Sequence, residues 1–189
     1  MNPRQITIIL TLVCVGSYGQ TSKSNLTWDN FTVTANNVGI FKKGMTLKQA
    51  LSLVPEDQRI KKIAQGEGET YDDYEIYNSK KEPLVIITPE SQNNLNSPIN
   101  TILIKDKRFK TDKNIGLHSV YSDLLRAYHV DKVSADIDVI VLILQDLPIS
   151  FSINKKYLME NWWNERKRQI DVSKIPATAP LDNFVIRWD

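Results

Sequence analysis

Apolar residues recur at two spacings along this chain, and the alternation between them predicts the elements. Leu47, Ala50, Leu51 and Val54 fall at i, i+3, i+4 and i+7, the spacing that lines one face of a helix. Tyr121, Leu124, Leu125 and Tyr128 repeat it 74 residues later. Thr46 stands where it can cap the first helix, with Gln49 three residues on, the pattern of a capping box. Ser119 is the cap predicted for the second helix.

After each helix the spacing changes to that of strands. Tyr74 to Tyr77 and Ile137 to Leu144 are rich in aromatic or β-branched residues. Pro83 to Ile87 and Pro148 to Ser152 each enter a strand through proline, which is tolerated at a first strand position. Ile99 to Lys105 and Leu181 to Arg187 agree position by position. Their alternation puts Ile102, Ile104, Phe184 and Ile186 on the core face. Thr101, Leu103, Lys105, Asn183, Val185 and Arg187 then fall on the other. Ile137 to Leu144 is apolar on nearly both sides, which predicts a central strand. Phe31 to Ala35 reads as a further, half-buried strand.

This doubling predicts an α+β fold: a duplicated unit of helix plus antiparallel strands, with the helices packed on one face of the sheet. Its parts are a leader at 1–19, an arm and strand at 20–37, a first repeat at 38–106, a basic linker at 107–113 and a second repeat at 114–189. The second repeat carries an insertion at 155–170. There Leu158 and Trp162, and Met159 and Trp163, are four apart, the spacing of two apolar ridges on a helix.

The leader changes the picture of where the protein works. Arg4, an apolar run from Ile6 to Gly16 and small residues before a cut after Gly19 predict a secretory signal. The run is short of the about 20 residues that span a bilayer. A lipoprotein alternative would acylate Cys14. Because Cys14 is the only cysteine, a cleaved chain holds no disulfide, thiol nucleophile or thiolate metal site. A domain without disulfides that relies on its core suits a bacterial periplasm or cell surface. The net charge of +2 offers no electrostatic reason to expect nucleic acid or an anionic membrane as partner.

Candidate chemistry is sparse. Five carboxylates between Glu67 and Glu75 lack the spacing of a calcium loop and read as a solvated turn. Gly66-Glu67-Gly68 lacks the third glycine of a phosphate cradle. His118 and His129 flank the second helix, and neither belongs to a metal-binding pattern or stands by a serine elbow. No cofactor, metal or catalytic residue is expected. Carboxylate pairs that meet in space keep a hydrolase as the third reading.

Lys43-Gly44-Met45-Thr46-Leu47-Lys48-Gln49-Ala50-Leu51 resembles the helix start of the SmpA/OmlA small-lipoprotein domain, and the tandem pattern is similar to the β-lactamase-inhibitor-protein superfamily. The resemblance implies helices packed on an antiparallel sheet and action by binding other proteins. His118 and Ser119 stand where that pattern has Gly-Met or Gly-Ser. The expectation is therefore a non-enzymatic, exported protein-binding module, inhibitory or assembly-related. Its expected contact residues are Trp162, Trp163 and Arg166 of the insertion and Leu103, Lys105 and Arg187 of the sheet. A small-molecule or lipid carrier, with an apolar pocket between helices and sheet, is the alternative.

Overall fold

The computed structural model describes residues 28–65 and 70–188. The predicted leader, most of the arm and the carboxylates Glu67 and Glu69 lie outside them. Eight strands form one antiparallel sheet: β4 (Arg59–Gln65), β5 (Thr70–Tyr77), β6 (Pro83–Pro89), β7 (Ile99–Ile104), β9 (Val130–Ala135), β10 (Val139–Leu144), β11 (Ile149–Asn154) and β14 (Phe184–Arg187). Their order is β4-β5-β6-β7-β14-β11-β10-β9, so β7 and β14 meet at the centre and β4 and β9 are the edges. A small sheet, β1 (Thr32–Val33), β2 (Asn37–Val38), β3 (Phe41–Lys42) and β8 (Lys110–Thr111), has the order β3-β2-β1-β8. A hairpin, β12 (Trp163–Asn164) with β13 (Gln169–Ile170), forms a third, two-stranded sheet.

The core lies on one face of the large sheet. Ile76, Val85, Ile87, Ile102, Ile104, Phe184, Ile186, Phe151, Ile153, Ile140 and Leu142 are buried there with Val33, Val38, Phe41 and Phe109 of the small sheet and its surroundings. The face predicted for Ile102, Ile104, Phe184 and Ile186 is the one observed. Trp188 locks the two sheets together by donating its indole N–H to the Ala35 carbonyl at 2.9 Å.

Two short helices close the core. In α1 (Leu47–Ser52) the capping box forms: Thr46 Oγ1 accepts from the Gln49 amide at 3.2 Å, and Gln49 Oε1 from the Thr46 amide at 2.9 Å. Leu47, Ala50, Leu51 and Val54 are all buried. Helices this short are unstable alone, so tertiary contacts must hold them. The Leu47 and Lys48 amides donate to the carbonyls of Ser97 and Leu95, in the loop that leads into β7. In α2 (Tyr121–Ala127) the Tyr121 and Ser122 amides likewise donate to Ala179 and Ala177, in the loop that leads into β14. Val120, not Ser119, is the cap; valine offers no acceptor, and only Asp123 reaches back to its amide, at 3.3 Å. Ser119 instead accepts from the Gly116 amide. His118 takes the left-handed conformation, φ 65°, that glycine would adopt without strain.

The structure is mostly β and not the α+β repeat expected. Strand accounts for 42% of the structure and helix for 14%, and the helices are not packed as a helix-plus-strands repeat. α1 and α2 have six and seven residues, and Leu125, on the predicted apolar face of α2, is 49% exposed. The periodicity was real, but it spans under two turns and the sheet supplies the architecture.

Two further expectations change. The predicted helix at 155–170 is absent: a 3-10 turn at Lys155–Tyr157 is followed by extended chain and the β12–β13 hairpin. The Met159 amide bonds to the Lys174 carbonyl, the Asp171 amide to Trp162, and Ile170 is buried in the core, so tertiary pairing overrides the helical spacing. β10, expected to be central, lies one strand from the β9 edge. Ile140, Leu142 and Leu144 are its core side; Val139 and Val141 are half-buried and Ile143 is exposed on the other.

Candidate functional site

The face of the sheet opposite the core carries a continuous row of cross-strand neighbours: Ile60, Glu75, Ile86, Leu103, Val185, Ser150, Ile143 and Lys132, one from each strand. None of these side chains packs into the core. In the β14-β11-β10-β9 part the sheet curves into a trough of about 650 Å³. Val139, Val141, Ile143 and Val185 supply its apolar surface, and Ser134, Ser150, Ser152 and Asn183 its polar groups, with Asp136 and Arg187 among the lining.

Local pairing explains why these residues share one surface. Val141 stands between Ser134 and Ser152 in register, and Ile143 between Lys132 and Ser150, so β10 contributes apolar side chains flanked by short polar ones. Ser152 is buried at the floor, its hydroxyl accepting from the Asn183 amide at 3.2 Å. The Asp136 carboxylate accepts from the Ile137 amide at 2.7 Å and fixes the β9–β10 turn.

Toward the other edge the same face is ion-paired. Lys62 Nζ lies 2.7 Å from Glu75 Oε1, and the Tyr77 hydroxyl donates to Glu75. The Lys62 ammonium first, then the Tyr77 hydroxyl, hold the Glu75 carboxyl below its usual range, while bonding to Glu75 pushes the Tyr77 phenol up. Thr88 Oγ1 donates to Asp73 Oδ1 at 2.6 Å. On the core side of the same strands, Asp72 is buried, 3.0 Å from Lys61 Nζ and accepting from the Asn93 amide at 2.6 Å. Burial raises the Asp72 carboxyl, but these two partners outweigh it and leave the pKa below its ordinary value.

The predicted contact residues divide between two places. Leu103 is half-buried opposite Val185, Lys105 and Arg187 are exposed, and Arg187 borders the trough. Trp162 and Trp163 are elsewhere, half-buried in and beside β12, their rings edge to face with centroids 6.0 Å apart. Arg166 is exposed in the hairpin turn. Because Ile170 anchors the hairpin in the core beside β9, the structure does not bring the tryptophans to the Leu103 face. The sequence does not mark Ser134, Val139, Val141, Ile143, Ser150 and Ser152 as contact residues. Their signal was the apolar run of β10, which reads equally well as a strand buried on both sides.

His118 precedes α2, and His129 borders a separate cavity of about 460 Å³ between β1 and the β10–β11 turn. There Asp112 accepts from the Tyr128 hydroxyl, and burial together with that bond pushes the phenol up. Neither histidine lines the trough, so its serines have no imidazole base beside them. No cluster of three metal-ligating side chains occurs among the described residues, and no helix among them is long and apolar enough to cross a membrane.

No family model matches the sequence, and no curated protein is significantly similar to it. Among solved structures, the fold is similar to that of the uncharacterized protein YfeY from Escherichia coli. The two are 13% identical with a TM-score of 0.56, over 84% of this chain and 99% of that one. At that identity the chain shares a fold with a bacterial protein, and the likeness extends no further.

Proposed function

We propose that this protein is an exported, non-enzymatic binding module that holds a partner polypeptide in the trough on the open face of its sheet. One observation carries the reading. Val139, Val141 and Ile143, three successive outward positions of β10, are apolar and share the trough with Val185 across β11, where a sheet wetted on one side ordinarily places polar residues. Hydroxyls of Ser134 and Ser150 alternate with them, and can pair with the backbone of an extended segment whose apolar side chains cover the valines. The resemblance of Lys43 to Leu51 to the helix start of the SmpA/OmlA domain favours the same class of role. The leader-like start favours a periplasmic or cell-surface setting.

The trough volume also falls in the range of about 300–1,000 Å³ that small-molecule sites occupy, which favours a lipid or small-molecule carrier as second reading. Photocrosslinking separates the two. A benzoylphenylalanine at position 141 should give a discrete adduct with one envelope protein, and the same group at position 62 should not. Ile143→Arg should abolish that adduct. Equal labelling from both positions would remove the trough from the proposal, and stoichiometric lipid in a solvent extract of the purified protein would establish the carrier instead.

A further inference from the structure

The hairpin corner is a second surface, independent of the trough, and its chemistry differs. Four apolar side chains there are strongly exposed: Ile137 at 81%, Val172 at 51%, Met159 at 50% and Tyr157 at 38%. They belong to one neighbourhood. Lys155 Nζ donates to the Ile137 carbonyl at 2.9 Å and lies 5.1 Å from the centre of the Trp162 ring. The Met159 amide bonds to the Lys174 carbonyl, and the Asp171 amide, next to Val172, bonds to Trp162. Trp162, Trp163, Lys155 and Ala135 border one shallow depression.

Charge gathers at the same place. Residues 155 to 174 hold six basic and three acidic side chains, and Asp136 and Asp138 flank Ile137, so the excess of cations is concentrated in the hairpin turn. Arg166, Lys167 and Arg168 are consecutive and exposed in the β12–β13 turn. Asn164 Oδ1 accepts from the Lys167 amide at 3.0 Å, and Arg168 takes the left-handed conformation at φ 50°, so the turn that carries the three cations has a defined backbone.

We infer that this corner docks on an anionic phospholipid surface. Indole and phenol rings with an apolar body and a polar edge settle at the headgroup level, and neighbouring cations are drawn to anionic lipid. A nucleic acid would use the cations but would gain nothing from Ile137, Met159 and Val172, whereas the boundary between headgroups and acyl chains solvates them.

The test is flotation of the protein purified from an exporting host with vesicles of phosphatidylcholine alone or mixed with phosphatidylglycerol. Binding is expected to the mixed vesicles only, to weaken with added salt, and to shift tryptophan emission to the blue. Combined Arg166→Glu, Lys167→Glu and Arg168→Glu should lower the association at least about 100-fold, from a gain of about 1 kcal/mol per basic residue at such a surface. Met159→Ser with Val172→Ser should keep the salt-dependent attraction and lose most of the blue shift. Unchanged circular dichroism of these surface variants keeps folding out of the comparison. Equal binding to both vesicle types, binding unaffected by the charge reversals, or tighter binding to duplex DNA than to vesicles at equal phosphate concentration would overturn the inference.

Discussion

Glu75 and Ile143 stand in one cross-sheet row, each on the second strand from its edge, yet they meet opposite surroundings. Glu75 is held by Lys62 and Tyr77, whereas Ile143 lies 36% exposed between Ser150 and Lys132. The ion pairs between strands of the large sheet among the described residues both belong to β4 and β5, Lys62–Glu75 on the open face and Lys61–Asp72 on the core side. On the β5 side of the open face the polar groups Lys62, Glu75 and Tyr77 satisfy one another, with Ile60 at the edge beside them. The other side leaves apolar surface whose removal from water would return about 25 cal/mol per Å². A partner has more to gain on the β10 side, and a substitution has more to disrupt on the β5 side.

The strongest challenge to this contrast is at the seam, because both sides depend on it. Phe184 of β14 is fully buried and stacks on Phe151 with centroids 4.5 Å apart. Phe184→Ala should cost about 3–5 kcal/mol in urea unfolding, in a single transition. Two separated transitions would mean that the sides fold independently and that the seam does not join them.

Asp72→Ala sharpens the contrast next. It leaves the Asn93 amide without its acceptor, while Lys61, with a side chain 41% exposed, can turn to water. The cost should be about 1–3 kcal/mol. Hydrogen exchange should quicken in β5 and the 90–97 loop and stay unchanged in β10 and β11; uniform quickening would contradict the local account.

Acid should act on the same side. Asp72 and Glu75 both bind protons more weakly folded than unfolded. The stability they add is therefore complete above the unfolded carboxylate range near about pH 4 and is lost as pH falls through their lower folded values. Exchange measured down that range should rise first in β4 and β5, and Asp72→Asn should remove part of the pH dependence. A first rise in β10 would break the comparison.

Legibility in the sequence followed burial. The core faces of β7 and β14 and the capping box of α1 were readable because alternation and cap chemistry are local. Both edge strands escaped. β4 reads Arg-Ile-Lys-Lys-Ile-Ala-Gln and β9 reads Val-Asp-Lys-Val-Ser-Ala, and charges that guard an edge against further pairing also hide its strand character. The hairpin is hidden because the four-residue spacing of Leu158 and Trp162 says helix locally. The pairing of Met159 with Lys174 that prevents it is tertiary. The trough was invisible for a related reason: an apolar outward row and an apolar buried row are the same letters, and only the edge-proximal position of β10 tells them apart.

The smallest effect on stability discriminates the two sides best. Ile143→Thr keeps a β-branched side chain at an outward position, so unfolding should shift by no more than about 0.5 kcal/mol. Glu75→Gln removes the charge that Lys62 and Tyr77 share and should cost more than Ile143→Thr in the same measurement. If the trough holds a partner, the order reverses for binding: Ile143→Thr should weaken it severalfold, as loss of apolar contact at a covered position would, and Glu75→Gln should leave it unchanged. The same order in both measurements would mean that Ile143 is ordinary surface and that the open face has no preferred side.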